Sequence, residues 1–303
     1  MPTQKLWLTY ALVTTLFWGV WGAFTGVPAQ NGFPETLTYV VWAITMIPPA
    51  AYALSRVNWN IQHDAKSVGY GTAIGLLGAG GQMLLFHAVR IGPPYLIFPL
   101  IALSPVVTII LSMVLLRERV SKRGALGVVL ALLSLPLFDY TGEHASGFGT
   151  SWFVYALMIM AAWGIQAYFM RFANSFMNAE SIFFYMTLTG LLLIPAAIFL
   201  TDFSQPINWG LNGPYLSALI QILNSVGALA LVYAFRYGRA IVVAPLANAG
   251  APLITALLSL LVLSVMPSSL KSIGIALAFA AAVLLALEPD QPVAANPAPR
   301  AAG

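Results

Sequence analysis

Ten stretches of about 20 mostly apolar residues follow one another along this chain, and about 20 is the number an α-helix needs to cross the hydrocarbon core of a bilayer. They lie near 6–26, 36–55, 67–89, 94–116, 122–139, 150–172, 179–200, 212–235, 240–263 and 268–287. Clusters of Gly, Pro, Asn and charge separate them, such as "PAQNGFPE", "SRVNWNIQHDAK", "RERVSKR" and "TDFSQPINWG"; these are the residues that interrupt regular structure. Only 7% of the 303 residues are charged and 60% are hydrophobic, against about 25% charged in a soluble domain. The chain therefore reads as an all-α membrane protein of ten transmembrane helices, with the lipid bilayer as its solvent. Its loops are too short for a soluble domain. The tail 288–303, "EPDQPVAANPAPRAAG", is Pro/Ala-rich and predicts a disordered cytoplasmic segment.

Charge sets the expected orientation. With the N-terminus in the cytoplasm, eleven Lys and Arg residues fall inside and two, Arg90 and Lys271, outside, as the excess of Lys and Arg in cytoplasmic loops requires. Both termini are then cytoplasmic. Lys5 and the apolar stretch after it resemble a signal peptide, but the stretch has an internal partner later in the chain and reads as a retained first span. The basic residues form no stripe, so no nucleic acid partner is expected. With no cysteine, disulfides, thiolate chemistry and cysteine metal sites are excluded.

The chain also repeats itself. "RIGPPYLIFPLIALSPVVTIILS" from Arg90 returns from Arg236 as "RYGRAIVVAPLANAGAPLITALLS". Gly92 meets Gly238, Pro99 meets Pro245, Pro105 meets Pro252, Thr108 meets Thr255 and Gly127 meets Gly274, with one residue inserted near Ala251. "FWGVWGAF" at Phe17–Phe24 likewise aligns with "AWGIQAYF" at Ala162–Phe169, and Glu35 with Glu180. This predicts two five-helix units, 1–144 and 145–287. Five is odd, so the second unit enters the membrane inverted. That explains one difference between the copies: Arg117, Arg119, Lys122 and Arg123 follow the fourth span, whereas uncharged "SVMPSS" follows the ninth. Inverted repeats of this kind typify secondary transporters, whose substrates bind near the midplane between the halves.

With its "FWG" and "AWG" openings, its fourth span "SPVVTIILS" leading to Glu118, and Gly127 and Gly274, the chain resembles the EamA-type family of the drug/metabolite transporter superfamily over about residues 6–287. Val265 stands where that pattern often has a Glu. The resemblance implies a carrier of small metabolites or amphiphiles, usually an exporter, in the bacterial inner membrane. It names no substrate.

Polar groups inside spans are expensive and mark candidate sites. Gln82, Gln166, Asn224 and Asn248 are the amides read as facing a cavity, where each can donate and accept; Gln221 is a weaker candidate. The alternative for each is a hydrogen bond between helices. Trp18, Trp21 and Trp163 lie near mid-span, away from the interfaces where Trp usually anchors. They read either as walls around a substrate, a cation included, or as plain helix packing against neighbours such as Gly19 and Gly164. Pro99, Pro105, Pro245 and Pro252 each remove an internal hydrogen bond and mark gating or kink positions. His87 is a candidate proton-linked group, with a packed histidine as the alternative; coupling through an end carboxylate or the substrate itself, uniport and exchange stay open. Arg90 and Arg236 each end a helix, where a cation suits the dipole. Glu118, between Arg117 and Arg119, reads as a local interfacial ion pair. "GLLGAGGQ" at Gly75–Gln82 lies inside a span and reads as close helix packing, not a phosphate loop.

No nucleophile–base pair, metal cluster or cofactor motif stands out, so no metal, cofactor or enzymatic activity is expected. No ring of polar residues suggests a channel filter. The expected function is alternating-access transport, probable export, of a neutral, zwitterionic or aromatic small molecule such as an amino acid. A non-transporting scaffold or partner subunit is the alternative. A monomer suffices because one chain already holds both halves, and an oligomer stays open.

Overall fold

The computed structural model describes residues 6–91, 97, 101, 103–139, 151–263 and 268–287. Every regular element among them is helical. In the first unit these are α1 (Leu6–Phe24), α2 (Val27–Gln30), α3 (Glu35–Thr45), α4 (Ile47–Ser55), α5 (Ala65–Ile91), α6 (Ser104–Leu115) and α7 (Lys122–Asp139). The second unit has α8 (Ser151–Ala173), α9 (Ala179–Leu192), α10 (Ile194–Phe199), a π-turn at Leu211–Tyr215, α11 (Leu216–Tyr237), α12 (Ala240–Leu263) and α13 (Ser269–Ala286). Five described segments are long and apolar enough to cross a membrane: Leu6–Gln30, Glu35–Ser55, Ser151–Ala173, Ala179–Phe199 and Leu211–Tyr237. Large apolar side chains such as Val114, Leu192, Leu219 and Phe199 are exposed, at 67%, 67%, 70% and 88%, which only a lipid environment makes tolerable. The protein is a multi-pass membrane protein. The tail, the 144/145 unit boundary, Pro99 and Val265 lie outside the described residues.

Two expected helices are each divided in two. The stretch 36–55 breaks at Met46 and 179–200 breaks at Leu193. The cause is legible in each: "IPPA" from Ile47 and "IPAA" from Ile194 place proline at the start of a new helix, where its missing N–H costs nothing. The two breaks fall within two residues of equivalent positions in the repeats. The fourth stretch is interrupted as well. α6 begins at Ser104 with Pro105 in its first turn, after Leu103 leaves helical geometry at φ −80° and ψ 4°.

The packing has a two-fold pattern. α1 packs on α11 and α12; correspondingly, α8 packs on α5 and α6. α3 packs on α11 as α9 packs on α5, while α7 meets α13 and α6 meets α12 across the unit boundary. Glycines repeat the pattern at atomic scale. Gly19 lies against Ala251 and Ile254, and Gly164 against Ser104 and Val107. Gly127 lies against Leu284 and Leu285, and Gly274 against Leu137. A side chain on Gly19 or Gly164 would collide with the backbone and side chains of the facing helix, whereas Gly127 and Gly274 are tight enough that the neighbour would have to give slightly, so these glycines set the close approach.

Inter-loop contacts gather the connections at two ends. At one end, the Asn178 amide donates to Gln62 Oε1 at 2.5 Å and Tyr185 Oη donates to the Gln62 carbonyl at 2.8 Å. Arg239 donates to the Arg119 carbonyl at that same end. At the other, the amide of Asn208 donates to the Gly32 carbonyl at 3.0 Å, Thr36 and Thr201 share a hydrogen bond of 2.8 Å, and Phe33 meets Trp209 edge to face. The first group joins the connections after α4, α6, α8 and α11, and the second joins those after α2 and α10.

Candidate functional site

The sequence candidates fall into two groups on the seams between the units. On the α5–α8 seam, the indole N–H of Trp163 donates to the Gly78 carbonyl at 3.3 Å. Its ring lies over Gly81, and the Gln166 amide lies over Gly78. Gly75 faces Thr189 in the same way. The run Gly75–Gln82 is thus a packing surface, as its position inside a span predicts. On the α1–α11 seam, the Trp18 indole donates to the Asn224 carbonyl at 3.3 Å and covers Gly227. Trp18 and Trp163 are repeat equivalents, and so are the carbonyls they bind and the glycines beneath them. Both mid-membrane indoles therefore have their N–H satisfied by backbone.

The amides divide by what they bind. Gln221 is buried; it accepts from the Trp21 indole at 3.1 Å and donates to Thr25 Oγ1 at 3.5 Å. Asn248 donates to the carbonyl of Ala244 on its own helix at 2.9 Å. Pro252 has no N–H to offer the Asn248 carbonyl one turn back, and Pro245 none to offer that of Ile241. Gln82, Gln166 and the Asn224 side chain are half-buried and take no hydrogen bond from the described residues. In a hydrocarbon setting, such groups call for a polar partner.

An open cleft of ≈ 560 Å³ lies beside the α5–α8 seam, and its lining includes Leu77, Gly80, Gly81, Met83, His87 and Tyr155. Its wall is mostly apolar. His87 and Tyr155 meet there edge to face at 4.8 Å between ring centres. The cleft places His87 on the seam that carries Trp163 and Gln166.

One expectation is corrected. Glu118 does not pair with its sequence neighbours Arg117 and Arg119. It binds Arg171 Nε at 2.9 Å and accepts from the Ile241 amide at 3.1 Å. The reason is backbone geometry: Arg117 adopts φ 54°, which reverses the chain after α6 and lets the Glu118 amide reach the Ser112 carbonyl at 3.1 Å. Glu118 is then 8% exposed. The sequence also gave no prominence to Gln62, which ties the α4–α5 connection to α9. Its position in a polar loop looked like punctuation alone.

The two-fold packing, apolar exterior and seam geometry match a known architecture. The profile of the EamA-like transporter family aligns with residues 5–138 and again with 150–287. The chain belongs to the EamA-like transporter family. The two matched stretches are two repeats, so this EamA-like protein is a two-repeat membrane transporter of the drug/metabolite transporter superfamily. Among curated proteins, it is 25% identical over 128 residues to "Uncharacterized protein MJ1333.1" of Methanocaldococcus jannaschii. That alignment covers 42% of this chain and 92% of the relative, which is thus about the size of one unit. Among solved structures, one described as "Crystal structure of protein" superposes with a TM-score of 0.74 at 17% identity, covering 92% of this chain and 98% of that one. At that identity the likeness is one of fold.

Proposed function

We propose that this EamA-like protein moves a small neutral, zwitterionic or aromatic solute across the inner membrane by alternating access, in the export direction. The observation that carries this reading is the set of half-buried amides on the inter-unit seams, Gln82, Gln166 and Asn224, with no hydrogen-bond partner among the described residues. Amides of this kind suit a solute that offers both donors and acceptors without net charge. Trp18, Trp21 and Trp163 supply aromatic walls, Asn248 a further acceptor, and the proline-bearing segments at Pro99, Pro105, Pro245 and Pro252 the positions where helices bend or gate. His87, in the cleft, is the side chain for proton-linked coupling. The end that gathers Arg117, Arg119, Arg171 and Arg239 is cytoplasmic in this reading, with both termini on that side. One chain holds both halves, so a monomer suffices.

The test is a thermal-stability screen in detergent against amino acids, nucleosides, sugars, polyamines and lipophilic cations at millimolar concentration. A ligand at 100 times its Kd stabilises by about 2.7 kcal/mol. A hit among neutral, zwitterionic or aromatic solutes, lost in Gln166→Ala and Trp163→Ala, supports the reading. A hit confined to polyamines overturns the substrate class. Silence across the panel, with no uptake by proteoliposomes, favours a scaffold.

A further inference from the structure

Four groups meet at the basic end of the molecule. Glu118, on the connection after α6 in the first unit, binds Arg171 at the end of α8 in the second. Its other carboxylate oxygen accepts from Ile241 in the first turn of α12. Arg171 in turn donates to the carbonyl of Phe235 in the last turn of α11 at 3.2 Å. The carboxylate thus sits at a helix N-terminus and the guanidinium at a C-terminus, each matched to the local dipole. The pair is largely withdrawn from solvent, with side-chain exposures of 22% for Arg171 and 6% for Glu118, so it is little weakened by salt. Arg117, with its positive φ, holds Glu118 in place; strain of that sort in a residue other than glycine clusters at switch regions.

The repeat makes this arrangement one-sided. By the repeat, Glu118 of the first unit corresponds to Val265 of the second, and Arg171 of the second to Gly26 of the first. Neither can form an ion pair. The opposite end of the molecule therefore has no counterpart of this ion pair, and among the described residues its ties between the units include the neutral Thr36–Thr201 and Asn208–Gly32 hydrogen bonds.

We propose that the Glu118–Arg171 pair, with the Ile241 amide, is a latch that closes the basic end between the two units and biases the resting protein towards opening at the opposite end. The proposal rests on the alternating-access reading. Exposing the seam from the basic side requires α6 and its connection to leave α8 and α12, and so requires Glu118 to surrender both partners. A buried pair of opposite charges is strongly destabilised when one partner is removed, so a single neutral substitution shifts the balance of open and closed ends.

The chain has no cysteine, so one introduced thiol reports cleanly. Asn248→Cys lies eight residues into α12, about 12 Å from its start at a rise of about 1.5 Å per residue. Its reaction with a membrane-impermeant maleimide is measured from each face, in inside-out and right-side-out vesicles. Glu118→Gln keeps an acceptor for the Ile241 amide and removes only the charge. The expected result is labelling from the basic face at least about tenfold faster in Glu118→Gln and in Arg171→Gln than with the pair intact. Arg171→Lys stays slow, and the double variant is no faster than either single one. Unchanged labelling in Glu118→Gln overturns the latch and leaves Glu118 as a helix cap. Equal acceleration from both faces also overturns it, because it shows general loosening. If Glu118→Gln does not accumulate, Arg171→Lys against Arg171→Gln decides the matter in the same assay. The labelling needs no substrate, so a silent ligand screen with a one-sided labelling response refutes the substrate reading and not the latch.

Discussion

The indole N–H of Trp163 reaches the Gly78 carbonyl at 3.3 Å because Gly81, one turn on, leaves room for the ring. A methyl group on Gly81 would collide with that ring, and one on Gly227 would collide with Trp18. Gly80, beside Gly81, faces open space. Gly81→Ala and Gly227→Ala should each lose about 1–3 kcal/mol through overpacking. Gly80→Ala should be neutral or slightly stabilising, since alanine favours the helix. Melting of the three variants in one detergent checks the contrast.

Gln62 fastens the α4–α5 connection to the start of α9. Its side chain accepts from the Asn178 amide at 2.5 Å and donates to the Phe176 carbonyl at 3.3 Å. Asn178 itself caps α9, accepting from the Ser181 amide at 2.7 Å. Removing Gln62 leaves two backbone groups without their partner in a half-buried place. Gln62→Ala should cost about 1–3 kcal/mol, and hydrogen exchange should rise first at Asn178. Unchanged exchange there would show that water replaces the side chain fully.

Asp64 gives one pH dependence outside the membrane-spanning segments. Its carboxylate caps α5, accepting from Ser67 Oγ at 2.5 Å and from the Ser67 amide at 3.1 Å. These bonds, the side-chain one foremost, hold its pKa below the ordinary aspartate value. A depressed folded pKa gives stability that is fully present above the unfolded value of about 3.9 and is lost as pH falls through the folded one. Asp64 is exposed, so the effect is small. Asn caps as well as Asp but does not titrate. Asp64→Asn should therefore match the native chain near neutral pH and retain more of its α5 N-terminal protection on acidification below about pH 4. Hydrogen exchange at Ser67, measured as the difference between the two proteins, checks it.

Much of this was legible because a membrane leaves the chain few choices. An apolar run of span length must be helical, and a duplicated run must pack as its copy does. Trp18 and Trp163, Gly19 and Gly164, and Gly127 and Gly274 were matched by sequence and occupy equivalent contacts. The breaks at Met46 and Leu193 were readable too, from the paired "IPPA" and "IPAA", but hydropathy alone treats proline-bearing apolar stretches as continuous. The partner of Glu118 was not legible. Arg171 lies 53 residues away, and a left-handed Arg117 is not encoded by any residue type that favours it. Nor does residue type separate an amide that serves packing, such as Gln221, from one without a hydrogen-bond partner among the described residues, such as Gln166. That distinction depends on which turn of the facing helix it meets.

The same distinction yields the sharpest functional test. Gln221 holds Trp21 and Thr25, so Gln221→Leu strands the Trp21 indole N–H and leaves Thr25 Oγ1 without its donor, and such bonds in bilayers contribute about 0.6 kcal/mol on average and about 1.7 at most. Gln82→Leu, Gln166→Leu and Asn224→Leu break no hydrogen bond between described residues, and the Asn224 carbonyl still receives Trp18. These three should melt within about 0.5 kcal/mol of the native protein. If they face the solute, they should also lose the ligand-induced melting shift and the transport that accompanies it, while Gln221→Leu keeps both at a lower melting temperature. The opposite pattern, with stability lost at Gln82 or Gln166 and the ligand shift retained, would make those amides structural and move the solute site away from the α5–α8 seam.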